Sequence, residues 1–219
     1  MSFGLERQSG AKCFMLSARA LSIVWGDDPA CWIWTASFPG SRFPEVAELV
    51  DVCWLEITGK LNLSLLSAGT TYAAYLVYTI AADSYGLECN VGILPPKAMV
   101  TVVSGTKPPP AATTTSTEHT ICLQHMHGEE ETVMHRRKQQ YMRLRKGYSR
   151  KLLVTREADP DIRCPRRRAD GWAEVELGEF AVAGDEDGVV EVSLKEIDNQ
   201  RWKRGLIVQG IEIRPKHTS

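Results

Sequence analysis

No apolar run in this chain is long enough to cross a bilayer. The longest, Tyr72 to Ala82, falls well short of the ~20 residues that a spanning helix needs. The first residues, Met1 to Phe14, carry charge early and hold no extended apolar core, which predicts no secretory signal. There is no excess of charge either. Lys and Arg number 26 against 27 Asp and Glu, a formal net charge of -1, so no overall field draws the chain to nucleic acid or to an anionic membrane. Cysteine is sparse and scattered, at Cys13, Cys31, Cys53, Cys89, Cys122 and Cys164. Without a secretory signal this pattern predicts free thiols in a reducing compartment. A Gly-rich phosphate loop, a Gly-x-Ser-x-Gly elbow and a Cys nucleophile context are all missing.

What the chain does hold is a concentration of tryptophan. Leu21 to Thr35 contains Trp25, Trp32 and Trp34, three of the six in the sequence. Gly26-Asp27-Asp28-Pro29 between them are turn formers, while Ile23-Val24-Trp25 and Trp32-Ile33-Trp34 favour extended chain. The pattern predicts two short strands joined by a polar loop, with Trp25 and Trp32 at its shoulders. Trp32 and Trp34 share one strand face and Ile33 takes the other. An indole at a loop shoulder is a flat apolar plate suited to the C–H face of a sugar ring. Asp27 and Asp28 are close enough in sequence to accept hydrogen bonds from the ring's hydroxyl rim. The other reading is that these rings fill a β core, where large aromatics are common. Trp34 reads as core, and for Trp25 and Trp32 both readings stand.

Along the rest of the chain, Met1 to Ala11 is expected to be a short flexible lead and Lys12 to Ala18 a strand. Glu45 to Leu61 reads as one long strand, with Cys53, Leu55 and Ile57 alternating with Trp54, Glu56 and Thr58. Thr71 to Ala81, apolar on both faces, predicts a central strand, and Met99 to Val103 a further short one. Residues 105–118, with three consecutive prolines and no large apolar group, predict an exposed disordered loop. Ile121 to His125 fits a strand and Glu157 to Ala169 a polar loop. Trp172 to Phe180, Val190 to Leu194 and Gly205 to Arg214 complete a series of short strands separated by turns. Few helix signals interrupt it. The fold class is therefore all-β, an antiparallel sandwich or barrel in a single domain.

Other chemistry is thinly supported. Cys122, His125, His127, His135 and Cys164 are metal-capable, but their spacing matches no standard zinc site. The acidic runs Glu129 to Glu131 and Asp185 to Asp187 sit in predicted turns, not across a cleft as a glycosidase pair must. No metal, no cofactor and no catalysis are expected. The basic stretch from His135 to Lys151 sets Arg136, Arg137, Lys138, Arg143, Arg145 and Lys146 among Tyr141 and Tyr148, a composition that suits phosphate contacts and base stacking.

Several blocks together resemble the plant phloem protein 2 family, with its Nictaba-like lectin domain. They are Ala18 to Trp25, Trp32-Ile33-Trp34, Glu45 to Leu49, Val52 to Ile57, Thr70 to Tyr78, Asp170 to Phe180 and Trp202 to Pro215. The resemblance covers most of residues 12–216, weakens from about Val91 to Arg168, and leaves 1–11 as a lead too short for the F-box that some relatives carry in front. It implies a jelly-roll-like β-sandwich that binds N-acetylglucosamine oligomers and N-glycan cores without catalysis or metal, with Trp25 and Trp32 as the sugar-binding tryptophans and Trp34 in support. Cys31 stands where the tobacco lectin has an aromatic. The resemblance further implies dimers and a location in the cytoplasm, nucleus or phloem sap, with a defence or stress role. Family links to phloem RNA make an RNA-binding or self-associating protein the alternative.

Overall fold

The sequence around Tyr75 supplies the centre of the molecule. In the computed structural model, which describes residues 1–89, 94–104, 113–124, 162–184, 187–198 and 201–216, Thr70–Tyr85 is the longest strand. Its β-branched and aromatic residues favour the pleated surface, and every side chain from Tyr72 to Tyr78 is buried. In chain order the strands are β1 (Ser2–Leu5), β2 (Lys12–Ser17), β3 (Ser22–Ile23), β4 (Trp32–Ala36), β5 (Glu45–Leu49), β6 (Leu55–Asn62), β7 (Thr70–Tyr85), β8 (Lys97–Ser104), β9 (Thr113–Ile121), β10 (Ile162–Arg163), β11 (Arg166–Arg167), β12 (Ala173–Val182), β13 (Gly188–Glu196) and β14 (Arg204–Pro215). No α-helix occurs among the described residues.

The strands form two sheets. One runs β1-β2-β14-β7-β12-β11, and its β14 also pairs with β5, which carries β4. The other runs β10-β9-β8-β13-β6-β3. Among the described residues, all pairings between strands are antiparallel except β9 with β10. Between the sheets, Leu55, Ile57 and Leu61 of β6, Val190, Val192 and Leu194 of β13 and Val100 of β8 meet Leu76 and Tyr78 of β7, Val175 and Leu177 of β12 and Ile211 and Ile213 of β14. Burying each such side chain contributes about 2 kcal/mol. The fold is thus the jelly-roll-like antiparallel β-sandwich expected from the sequence.

Several details differ from the sequence expectation. The lead is not free chain: Ser2–Leu5 pairs residue for residue with β2, from Ser2↔Met15 to Leu5↔Lys12. The Glu6 carboxylate closes this hairpin, accepting from the backbone N–H groups of Gln8 and Ser9 at 2.9 and 2.7 Å. The single strand expected over Glu45–Leu61 is two strands in different sheets. It breaks where Val52 leaves to bridge Lys203, a partner that no local pattern announces. Residues 113–118, expected as disordered loop, are part of β9 and pair along β8, because threonine fits a strand as readily as a polar loop. Residues 105–112 of that loop, and His125 at the end of the strand expected from Ile121, lie outside the described residues.

On the outer face of the first sheet, alternation places Glu174 and Glu176 outward while Val175 and Leu177 point in. Pairing sets Tyr75 between Glu176 and Glu212, so carboxylates crowd one row and cations must interleave. Arg214 and Arg168 reach Glu174 at 2.6 and 2.7 Å, and Arg163 reaches Glu176 at 2.9 Å. Burial pushes the Glu174 carboxyl up, but Arg214 and Arg168 outweigh it and leave it below the usual carboxylate range. Burial acts on Glu176 in the same way and is outweighed by Lys216 and Arg163. A depressed folded-state pKa contributes stability above the unfolded value, near 4.5, and loses it as pH falls through the folded value. Thermal melts should therefore hold steady down to about pH 4.5 and then lose about 2 kcal/mol, ~4–8 °C in Tm. In Glu174→Gln this part of the decline should shrink.

Close strand packing makes one glycine sensitive. A Cβ at Gly210, where β14 changes register against β7, would sit 1.9 Å from the Leu16 carbonyl oxygen. Gly210→Ala must push β2 off β14 and should cost about 2–3 kcal/mol in urea denaturation.

Candidate functional site

The tryptophan-rich loop leaves the second sheet at Ile23, which pairs with Ile57 of β6. Val24 N–H donates to the Glu56 carbonyl at 3.1 Å, and the chain then turns tightly. Gly26 N–H donates to the Ile23 carbonyl at 3.0 Å, and Asp28 N–H to that of Trp25 at 3.0 Å. Trp25 itself lies at φ +58°, the left-handed region that costs a bulky L-residue roughly 1–2 kcal/mol.

Two indoles hold it there. Trp32 Nε1–H donates to the Val24 carbonyl at 3.2 Å, and Trp34 Nε1–H to the Gly26 carbonyl at 2.9 Å. These are the carbonyls on either side of Trp25. Both donors come from β4, whose register on β5 fixes their height (Trp32↔Leu49, Trp34↔Ala47). The strained conformation is thus over-determined by hydrogen bonds from a rigid strand, the condition under which such strain persists.

The predicted residues therefore divide. Trp25 is open to solvent, 46% exposed. Trp32, expected as a second open plate, is 2% exposed and belongs to the core. Alternation on β4 turns it inward and Ile33 out, and a buried indole needs a partner for its N–H, which the Val24 carbonyl provides. Trp34 is partly buried, with the Arg19 guanidinium 3.7 Å from its ring centroid. Asp27 is exposed. Asp28 is exposed too, but its Oδ1 accepts the Ala30 N–H at 2.9 Å and its carbonyl accepts from Cys31 and Trp32, so it builds the turn. Burial, with the Asp28 carboxylate next, pushes the partly buried Cys31 thiol up, away from reactive thiolate.

The companion of Trp25 is a residue the sequence reading did not select. Trp54 is 43% exposed, its ring centroid 6.4 Å from that of Trp25 and its plane at 75° to it. Parity on the strand that follows carried the signal: Leu55 and Ile57 face inward, so Trp54, Glu56 and Thr58 share the outer face. Trp54 Nε1–H donates to Glu56 Oε2 at 3.2 Å, and Glu56 Oε1 pairs with Lys195 at 2.8 Å. The Lys195 ammonium and the Trp54 N–H hold the Glu56 carboxyl below its usual range against partial burial. From beneath, the fully buried Lys203 donates to the Cys53 carbonyl at 2.9 Å and pairs with Glu196 at 3.0 Å, fixing the backbone before Trp54. Lys195 also borders a cleft of about 150 Å³ lined by Leu94, Met99 and Ile197.

Among the described residues, no group of three or more His, Cys, Asp or Glu is placed to hold a metal ion, and no helix is long and apolar enough to cross a membrane. Arg136, Arg137, Lys138, Arg143, Arg145 and Lys146 lie outside the described residues, as do His125, His127, His135 and Glu129 to Glu131.

The phloem protein 2 pattern matches residues 11–215. The F-box protein PP2-B1 of Arabidopsis thaliana is 37% identical over 229 residues, spanning 100% of this chain and 67% of its own. The putative F-box protein PP2-B12 of the same plant is 39% identical over 215 residues, spanning 98% of this chain and 66% of its own. The chain spans about two thirds of the length of these curated relatives. Among solved structures, TmCBM61 in complex with β-1,4-galactotriose overlaps 95% of this chain and 90% of its own, at 9% identity and a TM-score of 0.28, a score from which no residue correspondence follows. On the family match and these identities, the chain belongs to the phloem protein 2 family.

Proposed function

We propose that this protein is a non-catalytic lectin for N-acetylglucosamine oligomers and the cores of N-glycans. The observation that carries the reading is Trp25: a bulky residue held at positive φ by two indole N–H groups, its ring presented to water edge-on to Trp54. Strain at a bulky residue is expected where the side chain has work outside the fold. A hexose face stacks on Trp25, Trp54 forms the adjoining wall, and Asp27 accepts from a ring hydroxyl. Glu56 and Lys195, beside the neighbouring cleft, suit a further ring of an oligomer. The acetamide-bearing specificity follows the family resemblance. Each ring face covers little area and trades water for protein hydrogen bonds, so affinity per site is modest.

Titration calorimetry with chitotriose tests this. Saturable heat that galactose oligomers do not reproduce is the expected result. No heat with chitotriose, and no binding of glycoproteins bearing N-glycan cores, would overturn it.

A further inference from the structure

Three of the free cysteines converge although they are far apart in sequence. Cys89 follows β7, Cys122 follows β9 and Cys164 follows β10. Parallel pairing of β9 with β10 sets Ile121 opposite Arg163, and Cys122 N–H donates to the Arg163 carbonyl at 2.8 Å. Cys122 and Cys164 each directly follow the last pair of this ladder. Neighbouring strands lie ~4.8 Å apart, within the Cα range of roughly 4.4–6.8 Å that a disulfide spans. On the other side, Cys89 N–H donates to the Gln124 carbonyl at 3.2 Å, and Cys89 Sγ lies 4.0 Å from the Ile121 carbonyl. The Cys122 thiol donates to the Gln124 carbonyl at 3.5 Å. Cys122 is buried, Cys89 partly buried and Cys164 exposed.

We propose that Cys122 and Cys164 form a reversible disulfide, with Cys164 as the sulfur that meets the oxidant. The oxidant is a low-molecular-weight disulfide such as glutathione disulfide. The Cys164 thiolate attacks one sulfur of the oxidant, its S–S bond breaks, and the first thiolate leaves and takes up a proton. Cys122 then gives up its proton as its sulfur attacks Cys164 Sγ, and the second thiol is released. Two protein thiols have lost two electrons and two protons, and one disulfide has become two thiols. The proton that Cys122 sheds passes to the departing thiolate of the oxidant. The bond makes residues 123–163 a closed loop and fastens β10, whose Arg163 meets Glu176 at 2.9 Å, to the end of β9.

The test is to equilibrate the full chain with mixtures of glutathione disulfide and glutathione, block free thiols by alkylation, and record intact mass and disulfide-linked peptides. The wild type should lose two hydrogens, with Cys122 and Cys164 in one linked pair, and revert on reduction. Cys122→Ser and Cys164→Ser should each show no such loss, while Cys89→Ser retains the bond. A linked pair containing Cys89, a mixed disulfide left unresolved, or no mass change under the most oxidising mixture would each overturn the assignment.

Discussion

Trp25→Ala should weaken chitotriose binding at least about tenfold, more than about 1.4 kcal/mol, while the fold stays intact. The ring is exposed and its loss opens no cavity, so the stability cost is confined to its edge contact with Trp54. The backbone at this position makes a sharper forecast. Glycine populates positive φ freely, whereas alanine retains the Cβ that makes φ +58° costly. Trp25→Gly should therefore melt above Trp25→Ala, by roughly 1 kcal/mol, reversing the usual order of these two residues. Calorimetric titration and thermal melts on the three proteins decide both points. Equal chitotriose affinity in Trp25→Ala and wild type would remove this ring from the site. Trp25→Gly melting below Trp25→Ala would mean that the strain is not there.

The second large effect belongs to Trp32 and is of a different kind. Its ring is sealed in the core, so Trp32→Ala removes a buried aromatic and should cost about 3–5 kcal/mol. That is enough to leave many domains of this size partly unfolded. Loss of sugar binding in that variant would accordingly say nothing about stacking. Trp32→Phe is the more informative change, since it keeps an aromatic ring in the core while deleting the N–H that grips the Val24 carbonyl, together with the volume of one ring. Leaving that carbonyl short of its donor should cost about 1–2 kcal/mol and loosen Trp25, lowering affinity by several-fold with the core still folded. Urea denaturation and chitotriose titration on this variant separate the two roles. Wild-type affinity together with wild-type stability would show that the indole N–H does not position the loop.

The contrast between these tryptophans shows where local pattern stops being informative. Trp25, Trp32 and Trp34 look alike in sequence: each neighbours β-formers and lies close to Gly26-Asp27-Asp28-Pro29. What separates Trp25 from the other two is that Trp32 and Trp34 sit on a strand paired with β5, whose other neighbour is β14. Those partners come from residues 45–49 and 204–215. Trp54 presents the opposite case. Its outward direction followed from the alternation of Leu55 and Ile57, but its nearness to Trp25 depends on β3 pairing with β6. Likewise, the clustering of Cys89, Cys122 and Cys164 required the parallel return of β10 onto β9.

By itself the amino-acid sequence determined the all-β class, the central place of Thr71 to Ala81, the tight polar turn after Trp25 and the family, because alternation, turn chemistry and ordered blocks are local properties that survive without coordinates. Only the tertiary structure decided that the strand expected from Glu45 to Leu61 divides between two sheets, that Trp32 is a buried clamp, and that Trp54 faces Trp25. Each of these rests on pairings between distant segments, such as Val52 with Lys203. Such pairings are set by the packing of one sheet over the other, not by any preference of the residues in the segment itself.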